Sequence, residues 1–287
     1  MRRFARAPIG ALFLLAGLAL TGAAGAGDVY RWTDDAGAAH FGDRPPADAE
    51  RLAAGTAPGG AGDLRAIEWI PDGDTLHLAD GTEVRLIGIN APEVAHRGDP
   101  AEPGGPEAQR YLRALLADKR VRLTIGPEAR DKYDRTLAHV VTRDGTNVAL
   151  RLLRAGHAFA VAHPPNTTRA ARYFAAERRA RAAGRGLWGH PRYAVKPAAA
   201  AGDLRNTFRR VRGRVATVTP KRKYVYLGFA SGFQAFLRKD RRAAFAQAGR
   251  APEALLGRTV VVRGWIHMRD GRPRVRLRHP LQIESVR

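Results

Sequence analysis

The chain has 287 residues, enough for two modest domains with extra segments, and its composition is that of a globular protein. It contains no cysteine, which excludes disulfides, thiolate metal sites and cysteine nucleophiles. The net charge of +22 exceeds what solubility requires and points to a polyanionic partner, either nucleic acid or an anionic envelope surface.

Residues 1–26 begin with Arg2, Arg3 and Arg6, run through an apolar stretch from Ile9 to Leu20, and end in Ala24-Gly25-Ala26. That three-part pattern reads as a secretory signal peptide cleaved after Ala26. A membrane anchor is the alternative, but the apolar core falls short of the about 20 residues a spanning helix needs. The expectation is therefore a periplasmic or secreted protein. Residues 27–46 read as a small module built on a hairpin, with Tyr30 and Trp32 facing Phe41 across a polar turn. A lone hairpin is marginal in water, so this one docks on its neighbour or contacts the cell envelope. Residues 47–62, rich in Ala, Gly and Pro, read as a linker.

The stretch 71–93 carries the chemistry. Asp72-Gly73 and Asp80-Gly81 are strong turn signals, and the alternating apolar runs between and after them fit two or three antiparallel strands. In an extended Val84–Ile89 run, alternation puts Arg85 on the face of Ile87 and Ile89, opposite Val84 and Leu86. A lone arginine there can snorkel to water. With Asp72, Asp74 and Glu93 converging on the same sheet end, it reads instead as a phosphate clamp beside hard oxygen ligands for a divalent cation.

From Asp63 to His190 the pattern is strands first and helices after. Pro106 opens a helix with Ala108, Tyr111, Leu112, Leu115 and Leu116 at helical spacing. Val121–Ile125 and Leu137–Val141 read as strands. Two more helices follow, from about Asn147 to Ala155 with Gly156 at its end, and from about Thr168 to Ala183. The fold class is mainly β with helices, strands closing into a barrel with helices at one end.

Residues 191–202 read as a second Ala/Pro linker, and 203–287 as a smaller, basic domain. Residues 201–287 hold 21 Lys and Arg against 5 Asp and Glu, a net +16. Val211–Val218, Tyr224–Phe229, Gly232–Leu237, Thr259–Met268 and Arg274–Leu277 read as strands, with a helix near Arg242–Ala248, an order that suits a second OB-like barrel. Tyr224, Tyr226, Phe229, Phe233, Phe236 and Trp265 are interleaved with basic residues, as on a surface that stacks bases and neutralises phosphates. Some of these aromatics are expected to be core instead.

Residues 63–190 resemble the staphylococcal nuclease family. The resemblance is carried by the Asp72-Gly73-Asp74-Thr75 turn, the Arg85 strand ending in Asn90-Ala91-Pro92-Glu93, and Asp131-Lys132-Tyr133-Asp134-Arg135. Asn147-Val148-Ala149-Leu150 and Gly186-Leu187-Trp188 follow in order. It implies an OB-fold nuclease domain, with Asp74, the Asn90 side chain and the Ala91 carbonyl as the protein's share of a Ca²⁺ site. It further implies that Arg85 and Arg135 clamp the phosphate and that Glu93 orients or deprotonates the attacking water. Lys132 and Tyr133 would touch a neighbouring phosphate. The implied substrate is DNA or RNA, and the implied products carry 3′-phosphates. Asn90 stands where the family usually has aspartate, and Asp134 where it has glycine before the second arginine. The latter removes easy access to positive φ and adds a carboxylate that can pair with Arg135. The rival reading is an envelope protein that binds nucleic acid with weakened or no catalysis.

Overall fold

The computed structural model describes residues 63–95, 98–204 and 207–287, together with the backbone of strands at 29–33, 39–42 and 50–52. The signal peptide read over 1–26 and most of the linker read over 47–62 lie outside the described residues. The chain divides into two units, Met1–Gly60 and Ala61–Arg287.

In the first unit β1 (Val29–Thr33) pairs antiparallel with β2 (Ala39–Gly42), which is the expected hairpin, and also with β3 (Glu50–Leu52), a strand inside the stretch read as linker. The register places Arg31, not Tyr30 or Trp32, opposite Phe41, and Trp32 opposite His40. A register slip of one residue exchanges the two faces, and alternation alone does not fix it.

The second unit holds two barrels of one topology. The first runs β4 (Arg65–Trp69), β5 (Thr75–Leu78), β6 (Glu83–Leu86), the short β7 (Ile89–Asn90), α1 (Gly105–Leu115), β8 (Arg120–Arg130), β9 (Thr136–Thr142), α2 (Val148–Ala155), β10 (Phe159–Ala160) and α3 (Ala170–Ala182). Its strands close in the order β4-β5-β6-β9-β8, with β6 and β9 parallel and the other pairs antiparallel, the OB arrangement. Asp80-Gly81 makes the β5–β6 turn, where Asp80 Oδ1 accepts the Thr82 N–H at 3.0 Å. Leu76, Leu78, Val84 and Leu86 alternate into the core, each contributing about 1.5–3 kcal/mol by burial. Asn147 caps α2 by accepting the Leu150 N–H at 2.7 Å, and Gly156 ends it.

The second barrel contains β11 (Lys196–Pro197), β12 (Phe208–Pro220), β13 (Tyr224–Phe229), β14 (Gln234–Arg238), α4 (Arg242–Gln247), β15 (Thr259–Arg269), β16 (Arg272–Leu277) and β17 (Ile283–Val286). Pairing of β12 with β15 closes the ring β12-β13-β14-β16-β15, again with one parallel pair, β14 with β16. The aromatics divide as alternation dictates. Phe229 and Phe233 are core, while Tyr224, Tyr226 and Phe236 form a half-buried cluster, the last two stacked at 5.5 Å.

The stretch 191–202 is structured where composition suggested a linker. It holds two 3-10 segments and β11, Ala198 and Ala201 are buried, and Ala198 packs against Gly213 so closely that a Cβ there would lie 2.9 Å from it. The small residues permit this approach, and their composition alone does not distinguish packing from flexibility.

The barrels meet through an aromatic seam and a buried ion cluster. Phe159 stacks on Phe208 at 4.7 Å and meets Tyr193 edge-on at 5.1 Å. Beside the seam, Arg263 of β15, 2% exposed, reaches both carboxylate oxygens of Glu177 of α3, 0% exposed, at 2.5 and 2.7 Å. Burial opposes the Arg263 charge, but Glu177 and Glu284 outweigh it and hold its pKa above the ordinary arginine value. Glu284 also pairs with Arg210 at 2.7 Å and Arg181 at 3.2 Å. Among the described residues no helix is long and apolar enough to cross a membrane.

Candidate active site

The β5–β6 register sets Thr75 opposite Arg85, so the turn at 72–74 lies beside the Arg85 guanidinium. Asp72 Oδ1 accepts the Asp74 N–H at 2.8 Å and orders that turn. The extended run expected through Ile89 breaks at Ile87-Gly88, where Gly88 takes φ +84 and lies against the Tyr173 ring, a Cβ being only 2.5 Å from it. The break returns β7 towards Arg85, so Ile89 and Asn90 present backbone and side-chain oxygens to the guanidinium.

Four of the residues singled out form one network. Arg85 Nη2 lies 2.8 Å from Asp74 Oδ2 and donates to Asn90 Oδ1 at 2.9 Å. Its Nη1 donates to the carbonyls of Leu86 and Ile89 at 3.2 and 3.1 Å. Asp74 Oδ2 also accepts the Ala91 N–H at 2.6 Å, and Asn90 Nδ2 donates to the Ala91 carbonyl at 2.9 Å. Burial, with Asp72 and Glu93 nearby, pushes the Asp74 carboxyl up to about 7 against the pull of Arg85 and the Ala91 N–H.

Arg135 enters from the turn between β8 and β9. Its Nε and Nη2 donate to Asp131 Oδ2 at 2.9 and 2.8 Å, and Asp131 Oδ1 accepts the N–H groups of Tyr133 and Arg135. Burial works upward on Asp131, but these bonds prevail and hold its carboxyl below the usual range. Asp134 adopts φ +66, the conformation a glycine would take freely, and its carboxylate pairs with Arg130 at 3.0 Å rather than with Arg135. Tyr133 is 66% exposed, with Lys132 Nζ over its ring at 4.5 Å and Arg135 at 5.4 Å.

Arg85, Asn90, Lys132, Tyr133 and Arg135 line one pocket. Glu93 stands in the adjoining groove with Lys132 and Tyr133. Partial burial and Asp72 raise its carboxyl above the ordinary range, while Arg85 and Arg135 both pull it down, so the carboxylate and the two guanidiniums act on one another. Such a constellation can hold an anionic ester between two cations with a base at its edge.

The oxygen set suits a hard cation. Among the described residues no group of three or more His, Cys, Asp or Glu is arranged to hold a metal, so an ion here relies on Asp74 with the neutral oxygens of Asn90 and Ala91. Asp74, raised chiefly by burial and then by Asp72, is a carboxyl that a nearby cation would hold ionised, and with the Asn90 and Ala91 oxygens linked beside it the residues fit the group, with less ligand charge than an aspartate at position 90 would supply.

Two contributors are not tied to Arg85 and Arg135 by sequence alone. Asp131 supports Arg135, and its Asp-x-x-x-Arg spacing is the only signal. Trp265 of the second barrel lines the pocket of Arg85 and Arg135, and only the three-dimensional fold brings it there. His163 also lines it.

Fold and cluster define a class: an OB-fold protein whose strand ends gather two guanidiniums and several carboxylates around one pocket. Residues 83–190 match the family model described as Staphylococcal nuclease homologue. Residues 16–66 match a second model, Domain of unknown function (DUF4124). The chain is 37% identical over 108 residues to the thermonuclease of Staphylococcus intermedius, covering 37% of this chain and 64% of that protein. It is 34% identical over 102 residues to endonuclease YhcR of Bacillus subtilis, covering 32% and 8%. With a probable endonuclease LCL3 of Colletotrichum graminicola it shares 38% identity over 105 residues, covering 34% and 37%. The match thus spans less than two thirds of the length of each of these relatives.

Proposed function

We propose that the protein is an exported, calcium-dependent nuclease that hydrolyses phosphodiester bonds of DNA, RNA or both with little sequence preference, leaving 3′-phosphate ends. The observation that carries this reading is the convergence of Arg85 and Arg135 on one pocket, with the Glu93 carboxylate within the field of both. Arg85, fixed by Asp74 and Asn90, and Arg135, fixed by Asp131, are oriented before substrate arrives and stabilise the charge that grows on the phosphoryl oxygens. Glu93 orients the attacking water and accepts its proton, a task suited to a carboxyl held above its usual pKa. Lys132 and Tyr133 hold a neighbouring phosphate. Asp74, Asn90 and the Ala91 carbonyl would hold Ca²⁺, which when bound adds positive charge beside the phosphate. Export rests on the pattern of residues 1–26, and the N-terminal module is assigned to envelope contact.

The test is incubation of residues 27–287 with single- and double-stranded DNA and with RNA, in calcium or chelator, beside Glu93→Gln. Calcium-dependent cleavage lost in the variant is the expected result. Binding without cleavage under any common divalent metal selects the second reading, a nucleic-acid binder with weakened chemistry. That reading draws support from Asn90, whose amide oxygen already accepts from Arg85.

A further inference from the structure

A groove leads away from Glu93 between the two barrels. Glu93, Lys132 and Tyr133 form one bank, and Trp265, Arg276 and Arg278 of the second barrel form the other. Lys132, Tyr133 and Trp265 also line the pocket of Arg85 and Arg135, so pocket and groove are continuous. Along β16, Val275 and Leu277 are buried, and period-two alternation sends Arg276 and then Arg278 to the groove side. Trp265 is fixed by edge-on contact with Phe208 at 5.0 Å and keeps part of its ring exposed.

These two arginines differ from others in the barrel. Arg210 is matched to Glu284 at 2.7 Å and Arg238 to Asp240 at 2.7 Å. Among the described residues the guanidiniums of Arg276 and Arg278 have no carboxylate partner within 4.0 Å. Burial and then Arg276 hold the pKa of Arg278 below the usual arginine value, and Glu128 offsets this only in part. His163 is exposed by area, yet desolvation by the surrounding groove walls, then Arg278, Arg85 and Arg276, hold it below the histidine range. Two unmatched like charges kept side by side, next to a pocket with two more cations, are relieved by an anion that spans both places.

We infer that the groove is a subsite for single-stranded nucleic acid, in which Arg276 and Arg278 hold backbone phosphates beyond the one at Arg85 and Arg135, and Trp265 stacks an intervening base. The inference rests on the nuclease reading for what happens at Arg85 and Arg135. A single strand suits a groove walled by both barrels, because an unstacked base can lie against Trp265.

The experiment is fluorescence anisotropy of the full chain with a labelled single-stranded DNA of about 12 nucleotides, within the span an OB fold covers, in chelator so that nothing is cut. Arg276→Gln/Arg278→Gln is expected to reduce the slope of log Kd against log salt by about 1.4, two phosphate contacts at about 0.7 each on a single strand. Arg276→Lys/Arg278→Lys, which keeps the charge, is expected to retain most of the slope. An abasic strand of the same length is expected to bind wild type about tenfold more weakly, in line with loss of one stacked base, and Trp265→Leu should remove that difference. An unchanged slope in the Gln variant with a wild-type unfolding midpoint overturns the inference, as does an equal loss in the Lys variant. A lowered slope in a protein that cuts nothing in calcium leaves the subsite standing and refutes the nuclease. Cutting with an unchanged slope does the reverse.

Discussion

Replacing Arg263 with methionine removes the charge that joins the two barrels while keeping most of the side-chain length. Arg263 gives Glu177 hydrogen bonds at 2.5 and 2.7 Å, and also donates to the Ala160 carbonyl at 3.1 Å and to Glu284 at 3.2 Å. Without it, Glu177 keeps the Ala160 N–H at 2.6 Å and Arg181 at 3.0 Å but loses its bidentate partner. Breaking a buried pair from one side costs about 3–5 kcal/mol. Because two donors remain, the lower end applies, about 3 kcal/mol. In a unit the size of 61–287, that lowers Tm by about 6–12 °C. Differential scanning calorimetry of the full chain measures it. Glu177→Leu/Arg263→Met, which removes both charges together, should recover most of the loss. Single variants within about 1 °C of wild type, or a double variant as unstable as the sum of the singles, would refute the claim that this pair holds the barrels together.

Arg85→Gln and Arg135→Gln are each expected to lower turnover by about 10²–10³, as for loss of one transition-state donor; near-native rates in steady-state cleavage assays would remove the clamp. Asn90→Asp should tighten calcium binding about tenfold by adding ligand charge, and isothermal titration that finds no change would take position 90 out of the ion's shell. His139 is buried against Tyr173, and burial, then Arg169, lower its pKa from 6.5 to about 4. Between those values the unfolded chain binds a proton that the native chain does not. Stability is therefore full above pH 6.5 and falls as pH drops towards 4, by at most about 3 kcal/mol. Urea melts at several pH values should show His139→Asn with a shallower loss across that window, and identical slopes would place the effect elsewhere.

The barrel of the first domain is legible in sequence because its turns announce themselves. Asp80-Gly81, the cap Asn147 and Gly156 all act within a few residues of where they stand. The second barrel is legible for the same reason from β12 to β16, where Tyr224–Phe229 is read with the bounds the structure gives. The site residues are legible as types but not as partners. Arg85 stands out as a charge on an apolar strand, yet its bonds to Asp74 and Asn90 depend on the turn at Gly88, which periodicity reads straight through. Asp134 is read as a threat to Arg135, whereas the nearer competitor is Asp131, which supports it. The union of the barrels is not legible at all. Glu177 and Arg263 look like two more charges in a strongly charged chain, and their burial follows from packing between elements far apart in sequence.

That separation has a consequence in time. Glu177 and Arg263 lie 86 residues apart, and the first barrel is complete in sequence well before the arginine is made. At about 5–20 residues per second, translation of the intervening chain takes about 4–17 s. During that interval α3 carries a carboxylate whose place is dry only once the second barrel arrives. Until then Glu177 is held by the Ala160 N–H and Arg181 alone, at the root of β10, the strand that pairs with Asn90.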